Sequence, residues 1–568
     1  MLKRIKTYLI IAAFIVPPFF IGASAYADSL GDKVIFNTNT GYDSTGRSTV
    51  PATLRTISDH AYFYVDDKFW STLSSTEAVK FNNDLKNLAT EFDTITYPKE
   101  TAFWGSEPKP GIDGDPRITI FLEDLTQGTG GYFESNNLYS KASDATSNQR
   151  EMIAANAQAN GSVFLKVFLA HEFQHMISQN QKEFINDSTE DIWLNESRSE
   201  YSITLDGYND IYYGSSLEHR VRDFMENPYD SLTEWPNIKA DYATAVIFSE
   251  YLIDRFGPGI LNETLHYKSY GIPSLNEYLR VRGTDFEQVY LDWMAALYLN
   301  DRSIDPKYGY SKGGLNTIKV NPQVLVSMNS NASSYTNSIS VKDWQPYWIE
   351  YNLRNITDRT KSLRFDVNGQ SGENFLVSYI TFYDNGQIVV GRIPVSSGKA
   401  TAFGTNSSTL LIRKVVLAVT DGQKVIDFGK NGPIKNVSIN ASIVGNSEVQ
   451  EQTLKDGSLI KRPREKEIYV IRGKYKRYLN QEVIRLYGQL DPSKAIEVAP
   501  EVFDSYQTSN YVRYVNDKKV YAVWPDGTIH WLHITPQHWD ASYRDWNSIF
   551  IISDSELRSY KAGAEINH

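Results

Sequence analysis

Hydrophobic positions between about residues 28 and 300 follow two periods, one typical of strands and one typical of helices. Short apolar runs predict strands at residues 61–65, 117–122, 130–133 and 152–155. Apolar residues at helical spacing predict helices over residues 74–95, 163–175, 242–255 and 286–299. This part of the chain is therefore predicted to mix α and β elements, with residues 130–133 at a sheet edge.

The pattern changes near residue 301. Short alternating runs over residues 320–445, separated by turn signals such as Asp384-Asn385-Gly386, predict a β-sandwich. A polar linker at residues 446–457 precedes an internal repeat, in which residues 459–461 match residues 511–513 and residues 468–471 match residues 520–523. The repeat predicts either an attachment module for a cell-wall or surface ligand, or a duplicated structural unit without a ligand.

The N-terminus carries the features of an export signal. Lys3, Arg4 and Lys6 precede a short apolar run, and Ala25-Tyr26-Ala27 follows as a small-x-small cleavage site. This order predicts a secretory signal peptide over residues 1–27 and a secreted, extracellular protein. The alternative is an uncleaved membrane anchor, but Pro17-Pro18 interrupts the apolar run. No later run is long enough to predict a transmembrane helix in the cleaved protein.

Composition narrows the function classes. The 568 residues are 41% hydrophobic and 22% charged, which indicates a soluble chain of several domains. A net charge of -11 does not indicate the positive surface that binding of nucleic acid requires. Calcium is compatible with this acidity but cannot be derived from it. The absence of cysteine excludes disulfides, cysteine nucleophiles and zinc sites with thiolate ligands.

The segment His171-Glu172-Phe173-Gln174-His175 has the pattern H-E-x-x-H. His171 and His175 lie one helical turn apart and therefore face the same side. Imidazole suits zinc, and a catalytic zinc takes three protein ligands. Glu196 is predicted as the third ligand, on a second helix that residues 186–188 would cap. Glu200 follows one turn later, where its carboxylate is predicted to support a ligating histidine.

Further site residues are predicted around this motif. Glu172 is offset by about 100° from the ligands and is predicted to be the general base for the attacking water. Tyr242, at a helix start, and His219, near two arginines, are alternative donors to the oxyanion. The edge strand, with Gly131, Tyr132 and Phe133, is predicted either to pair with an extended peptide or to be a structural edge only.

The H-E-x-x-H segment and Asn195-Glu196-x-x-Ser199-Glu200 together resemble the gluzincin pattern of thermolysin-type metallopeptidases. The wider neighbourhood is similar to the hyicolysin family of secreted bacterial zinc peptidases, on residues 113–120, 131–133, 171–177 and 193–196. The resemblance covers roughly residues 50–300. It implies Glu196 as the third zinc ligand and Glu200 as the support of a histidine, where thermolysin has Asp.

These observations predict an α+β protein in four parts. A signal peptide (1–27) precedes a zincin-like metallopeptidase domain (28–312), a β-sandwich domain (313–446) and a β-rich tandem repeat (447–568, with copies at about 458–510 and 511–563). The expected function is a secreted zinc endopeptidase that acts on extracellular peptides and proteins. The alternative is a cell-surface or cell-wall binding protein whose peptidase domain is subsidiary or inactive.

Overall fold

The structure is a computed structural model that describes residues 27–329, 332–404, 406, 410–423, 432–445, 454–462, 465–487, 490–498, 503–504, 506–515, 517–541 and 544–567. The predicted signal peptide lies outside the described residues except for Ala27, and so do residues 446–453 of the predicted linker. Contacts divide the chain into two compact units, Met1–Thr94 with Pro108–Leu165, and Ile95–Glu107 with Lys166–His568. Each unit is described below by itself.

The first unit is built on one six-stranded sheet with the order β1-β2-β3-β4-β6-β5. Strands β3, β4 and β6 run parallel to one another, and β5 pairs antiparallel with β6 at the edge. The prediction of a sheet edge at residues 130–133 is therefore confirmed. The strands are β1 (Lys33–Asn37), β2 (Thr49–Ile57), β3 (Ala61–Asp66), β4 (Ile118–Glu123), β5 (Gly131–Phe133) and β6 (Met152–Asn156).

Two helices accompany this sheet, α1 (Asp67–Thr72) and α2 (Ser75–Glu91). Helix α2 begins with a capping box between Ser74 and Glu77, which satisfies backbone donors at the first turn. It buries Phe81, Leu85 and Leu88 along one face. Every residue of β3, β4 and β6 is buried, as expected for central parallel strands.

The second unit begins with helices that hold the H-E-x-x-H segment and its surroundings. Helix α10 is almost wholly buried, apart from the partly exposed Glu287 and Gln288, which makes it the centre of this helical part. The helices are α3 (Tyr97–Trp104), α4 (Val163–Ser178), α5 (Ile192–Asp206), α6 (Ser216–Glu226), α7 (Lys239–Phe256), α8 (Gly259–Leu265), α9 (Gly271–Arg280) and α10 (Phe286–Leu299). Helix α4 starts within the first unit and continues into the second.

The connection between α4 and α5 differs from the prediction. A π-helical turn, Gln179–Ile185, prolongs α4, and Asp187 then takes a left-handed backbone with φ +50°. Helix α5 begins only at Ile192, after Asp191, and residues 186–188 do not cap it. The prediction of a cap there was wrong, because the Asn-Asp-Ser sequence ends one helical segment and turns the chain before the next.

The described residues between 324 and 445 form two sheets that share one apolar core. One sheet has the order β13-β10-β15-β8 and the other the order β12-β11-β14-β9-β7. The long strand β14 of the second sheet opens at Ile412. The strands are β7 (Val324–Ser327), β8 (Ser334–Val341), β9 (Tyr347–Asn352), β10 (Lys361–Gly369), β11 (Phe375–Tyr383), β12 (Ile388–Ile393), β13 (Lys399–Gly404), β14 (Ile412–Asp421) and β15 (Lys435–Gly445).

The C-terminal part contains two sheets with the same plan. Each has three antiparallel strands, and short strands pair in parallel with its first and third strands. The strands are β16 (Leu459–Lys461), β17 (Ile468–Arg472), β18 (Tyr475–Leu479), β19 (Ile496–Glu497), β20 (Gln507–Thr508), β21 (Tyr511–Tyr514), β22 (Val520–Val523), β23 (Thr528–His533), β24 (Phe550–Ile552), β25 (Lys561–Ala562) and β26 (Ile566–Asn567). The described residues of this part also include the short helices Gln481–Leu486, Pro536–Ala541 and Asp554–Ser559.

The mixed α and β content and the β-rich C-terminal region are thus confirmed. Among the helices of the described residues, none combines the length and the apolar composition needed to cross a bilayer.

Candidate metal centre

The structure brings His171, His175 and Glu196 together. Helix α4 supplies the two histidines from successive turns, and α5 supplies the glutamate. The Nε2 atoms of His171 and His175 lie 3.1 Å apart. Glu196 Oε2 lies 3.2 Å from His171 Nε2, and Glu196 Oε1 lies 3.6 Å from His175 Nε2. Within the described residues this is the group of His, Asp and Glu side chains with the spacing to hold a metal ion.

These separations fit a tetrahedral ion. Zinc at about 2.0–2.2 Å from each ligand would place neighbouring ligand atoms about 3.3–3.6 Å apart. The 3.1 Å between the two nitrogens and the 3.2 Å from Glu196 Oε2 to His171 Nε2 come within about 0.2 Å of that range, whereas the 3.6 Å to His175 Nε2 is measured from the other oxygen, Oε1. In the described part of the chain, Glu196 Oε2 accepts no hydrogen bond in good geometry although it is buried. Its lone pairs are therefore free to bind a cation.

The electrostatics of the cluster favour a positive charge. Burial opposes protonation of His171, but contact with Glu196 and the charges of three nearby glutamates raise its pKa to about 9. Burial also opposes ionisation of Glu196, yet the two histidines hold its pKa well below the usual range. A proton on His171 therefore neutralises the carboxylate here, and a bound cation would replace that proton.

A hydrogen-bond chain orients the second histidine. Gln174 Nε2 donates to Ser178 Oγ at 2.7 Å, so its Oε1 is left to accept the hydroxyl proton of Ser199 at 2.6 Å. Ser199 Oγ lies 3.1 Å from His175 Nδ1 and, having given its proton to Gln174, accepts from that nitrogen. This tautomer leaves the Nε2 lone pair of His175 directed at the cluster.

Glu200 lies beside the first histidine. Its Oε1 is 3.7 Å from His171 Nδ1, close enough for charge attraction but longer than a hydrogen bond. The same oxygen accepts hydrogen bonds from Nε and Nη2 of Arg220, which comes from α6. Burial lowers the pKa of Arg220, but the charge and hydrogen bonds of Glu200 raise it overall, so this guanidinium stays charged.

Glu172 is 9% exposed and lies among the same groups. Its charge contributes to the raised pKa of His171 and to that of Tyr242, which indicates that its carboxylate is near both. Of the two candidate oxyanion donors, Tyr242 interacts with the charges of Glu196 and Glu172. The Tyr242 hydroxyl donates to Asn237 Oδ1 at 2.9 Å. In the described structure, His219 makes no side-chain hydrogen bond or ion pair with this group of residues.

The edge strand β5 belongs to the first unit. The side chain of Tyr132 is buried, and its hydroxyl donates to Glu123 Oε2 at 2.8 Å while accepting from the Asn39 backbone. Its ring is therefore part of the core, whereas Gly131 and Phe133 are half-buried. The predicted pairing of this strand with an extended peptide would use its backbone, and it stays a prediction.

The C-terminal histidines are engaged elsewhere. His530 Nδ1 contacts the carbonyl of Ala564 at 2.7 Å, and its ring stacks on Trp524. His533 pairs with Glu565 at 2.9 Å. The described residues around them form no metal-ligand group.

Two residues that contact the proposed site residues, Arg220 and Ser199, were not predicted from the sequence. Arg220 was noted only as a neighbour of His219, although its own side chain contacts Glu200 and lies 4.9 Å from the Tyr242 ring centre. Ser199 was quoted only as part of a motif. Its place three residues after Glu196 was the available signal, because a residue there faces the same side of α5.

Comparison with known proteins finds a similarity to a metalloprotease over part of the chain. No protein-family model matches the chain. Over 192 residues the chain is 30% identical to the neutral metalloprotease ShpI of Staphylococcus hyicus. That match covers 29% of this chain and 41% of ShpI, so the chain spans less than half the length of this relative. The similarity supports a relationship to metalloproteases.

Similarity to solved structures is weak. PliG of Aeromonas hydrophila, a periplasmic inhibitor of g-type lysozyme, matches with 14% identity over 22% of this chain and 100% of its own, at a TM-score of 0.15. CorA, a surface-associated copper-binding protein of Methylomicrobium album BG8, matches with 12% identity over 21% of this chain and 98% of its own, also at 0.15. Such scores carry no argument about fold or function.

Proposed function

We propose that the protein is a secreted zinc endopeptidase that hydrolyses peptide bonds in extracellular proteins. The observation that carries this proposal is the His171–His175–Glu196 group, whose ligand atoms all lie within 4.8 Å of one another. The partial identity with a neutral metalloprotease points the same way. We assign the site to the gluzincin type on a zincin-like domain resembling the hyicolysin family, because the third ligand is a glutamate on a second helix.

In this proposal each side chain has one task. His171, His175 and Glu196 hold the metal. Zinc bound there would lower the pKa of a water molecule and polarise the scissile carbonyl. Glu172 accepts the proton of the attacking water and then delivers it to the leaving amine. Glu200 supports His171 from the far side of its ring, as carboxylates beside ligating histidines do.

Tyr242 is the proposed donor to the oxyanion, with His219 as the alternative. Burial, and then the charge of Glu196, raise the pKa of Tyr242 above its usual range. Its hydroxyl therefore keeps its proton at neutral pH and can donate it to a developing negative oxygen. On substrate binding it would exchange Asn237 Oδ1 for the oxyanion.

The remaining assignments rest on the sequence. We propose export by the signal peptide at residues 1–27 and domain boundaries near residues 312 and 446. The strand β5 is proposed to pair with extended substrate through its backbone. The tandem repeats are proposed as the part that holds a cell-wall or surface ligand. The alternative function, a surface-binding protein with an inactive peptidase domain, does not explain why ligands, base and supporting carboxylate are all present.

The decisive experiment compares Glu172→Gln with the matched control Glu226→Gln, which changes an exposed glutamate. We expect Glu172→Gln to abolish casein hydrolysis while zinc remains bound at one ion per chain, because the ligands are intact. The control should hydrolyse casein as the unchanged protein does, and a chelator should stop both. Hydrolysis that persists in Glu172→Gln overturns the assigned mechanism. An unchanged protein that binds no zinc and cleaves no casein overturns the function.

A further inference from the structure

Helices α3 and α5 pack side by side away from the His171 group. The Trp104 indole N–H donates to Ser202 Oγ at 2.8 Å, and Lys99 Nζ donates to the main-chain oxygen of Asp206 at 2.7 Å. The two contacts run in opposite order along the helices, which are therefore antiparallel. Glu100 of α3 lies between Lys99 and Trp104, so it faces the turn of α5 between Ser202 and Asp206.

Glu100 and Asp206 are buried, with the hydroxyl of Ser202 beside Glu100 and that of Thr96 beside Asp206. Glu100 is 0% exposed and Asp206 is 5% exposed. Within the described structure, none of their four carboxylate oxygens has a partner in hydrogen-bonding geometry. The nearest ammonium group, that of Lys99, binds the main-chain oxygens of Leu205 and Asp206 instead of the carboxylates.

Such a pair is costly to bury unless something neutralises it. Burial, and then the charge of Asp206, raise the pKa of Glu100 well above its usual range. Burial raises the pKa of Asp206 to about 6, so this carboxylate is mostly ionised at pH 7. A negative charge therefore remains inside the protein near neutral pH, and the Thr96 hydroxyl and the charge of Lys99 offset it only in part. Asp206 is also the last residue of α5, where the helix end adds partial negative charge.

We propose that Glu100 and Asp206 form a second metal site, which binds a divalent cation of the calcium type through oxygen atoms. The hydroxyls of Thr96 and Ser202 lie beside the carboxylates and complete a set of oxygen ligands. A set of carboxylates and hydroxyls without imidazole selects calcium or magnesium over zinc. Calcium fits better than magnesium, since it accepts irregular geometry and sheds its water more readily.

The site would tie α3 to the C-terminal end of α5, the helix that carries Glu196 and Glu200 in its first turns. It is independent of peptidase activity, because it needs neither zinc nor substrate. The ion would act on stability, holding in place the helix that supplies the third ligand of the His171 group.

Terbium luminescence tests the site directly, because Tb³⁺ resembles Ca²⁺ and the Trp104 indole next to Ser202 can sensitise it. The full-length protein is first saturated with zinc, which occupies the imidazole nitrogens of His171 and His175. We expect saturable Tb³⁺ emission that Ca²⁺ displaces, and at least tenfold weaker Tb³⁺ binding in Glu100→Gln and in Asp206→Asn. Asp210→Asn, which changes an exposed neighbour, is the matched control and should bind Tb³⁺ unchanged.

Thermal unfolding gives a second measurement. Calcium at about 100 times its Kd should raise the melting temperature of the unchanged protein by about 5 °C. Trp104→Phe, which removes the sensitising indole but no proposed ligand, should show the same rise. Calcium should raise the melting temperature of Asp206→Asn far less. If calcium leaves the unchanged protein unaffected, or if Glu100→Gln and Asp206→Asn respond to both ions as the unchanged protein does, the proposal is wrong. A Glu100→Gln variant that does not fold leaves Asp206→Asn and Trp104→Phe to decide it.

Discussion

At Trp344 the buried side chain favours a large residue, whereas the left-handed backbone favours glycine. It is 2% exposed, and its ring centre lies 4.7 Å from Phe286 and 5.0 Å from Tyr290 of the central helix α10. Its backbone is nevertheless left-handed, with φ +50°, a conformation that large side chains rarely adopt. Its carbonyl accepts from the Leu232 N–H at 3.1 Å, in the loop that leads to Tyr242.

We therefore predict an inverted order of stability for two substitutions at this position. Trp344→Ala removes the buried ring at a cost of about 3–5 kcal/mol and keeps the left-handed strain of about 1–2 kcal/mol. Trp344→Gly loses the same ring but relieves that strain. Glycine is ordinarily the worse replacement by about 0.5–1 kcal/mol, so the two effects leave Trp344→Gly more stable than Trp344→Ala by about 1 kcal/mol.

Scanning calorimetry measures this difference, which should appear as a melting temperature higher by about 2–4 °C for the glycine variant. Trp348 supplies the matched control, because it is equally buried but lies in the extended strand β9. There Trp348→Gly should melt below Trp348→Ala. If Trp344→Ala equals or exceeds Trp344→Gly, the strain argument is refuted, and if both variants melt with the unchanged protein, the packing argument is refuted as well.

Three further predictions concern individual side chains. Glu200→Gln should weaken zinc binding by about 10–100-fold, measured by competition with a chromogenic chelator, and unchanged affinity would contradict its role beside His171. Tyr242→Phe should lower kcat by about 100-fold with little change in KM, whereas His219→Asn should leave kcat nearly unchanged, and the reverse ranking assigns the oxyanion donor to His219. Burial raises the pKa of Glu123 to about 8, so the folded state binds this proton more tightly than the unfolded state. Stability should therefore fall as pH rises from about 5 to 8, by up to about 1.4 kcal/mol per pH unit, and Glu123→Gln should flatten that slope in melting curves.

Local patterns predicted most of the elements. Residues 286–299 were predicted as a helix, and α10 has those bounds, because its apolar residues recur at helical spacing and the Asp285 side chain caps it. The common face of His171 and His175 likewise follows from helical spacing alone. Such features depend on residues within a few positions of one another, and that is why the sequence suffices for them.

Features that depend on three-dimensional packing were harder to predict. The start of α5 was misplaced because Asn-Asp-Ser has the composition of a helix cap, while the π-helical turn Gln179–Ile185 uses it to end α4. The sequence predicted residues 131–133 as an edge strand, but it did not predict the partner of the Tyr132 hydroxyl. That partner is the buried Glu123 side chain, which only the register of β5 on β6 and of β6 on β4 brings close.

Glu200 departs from the thermolysin-type pattern, and its contacts in the structure give a reason for the departure. Thermolysin-type sites have Asp there, and the sequence alone gave no use for the extra methylene. In the structure the longer side chain brings one oxygen to 3.7 Å from His171 Nδ1 while the same oxygen accepts two hydrogen bonds from Arg220. Arg220 also lies 4.9 Å from the Tyr242 ring centre. The Arg220 guanidinium therefore contacts both Glu200, which supports the proposed ligand His171, and Tyr242, the proposed oxyanion donor. Both sides of the candidate site thus depend on this one cation from α6.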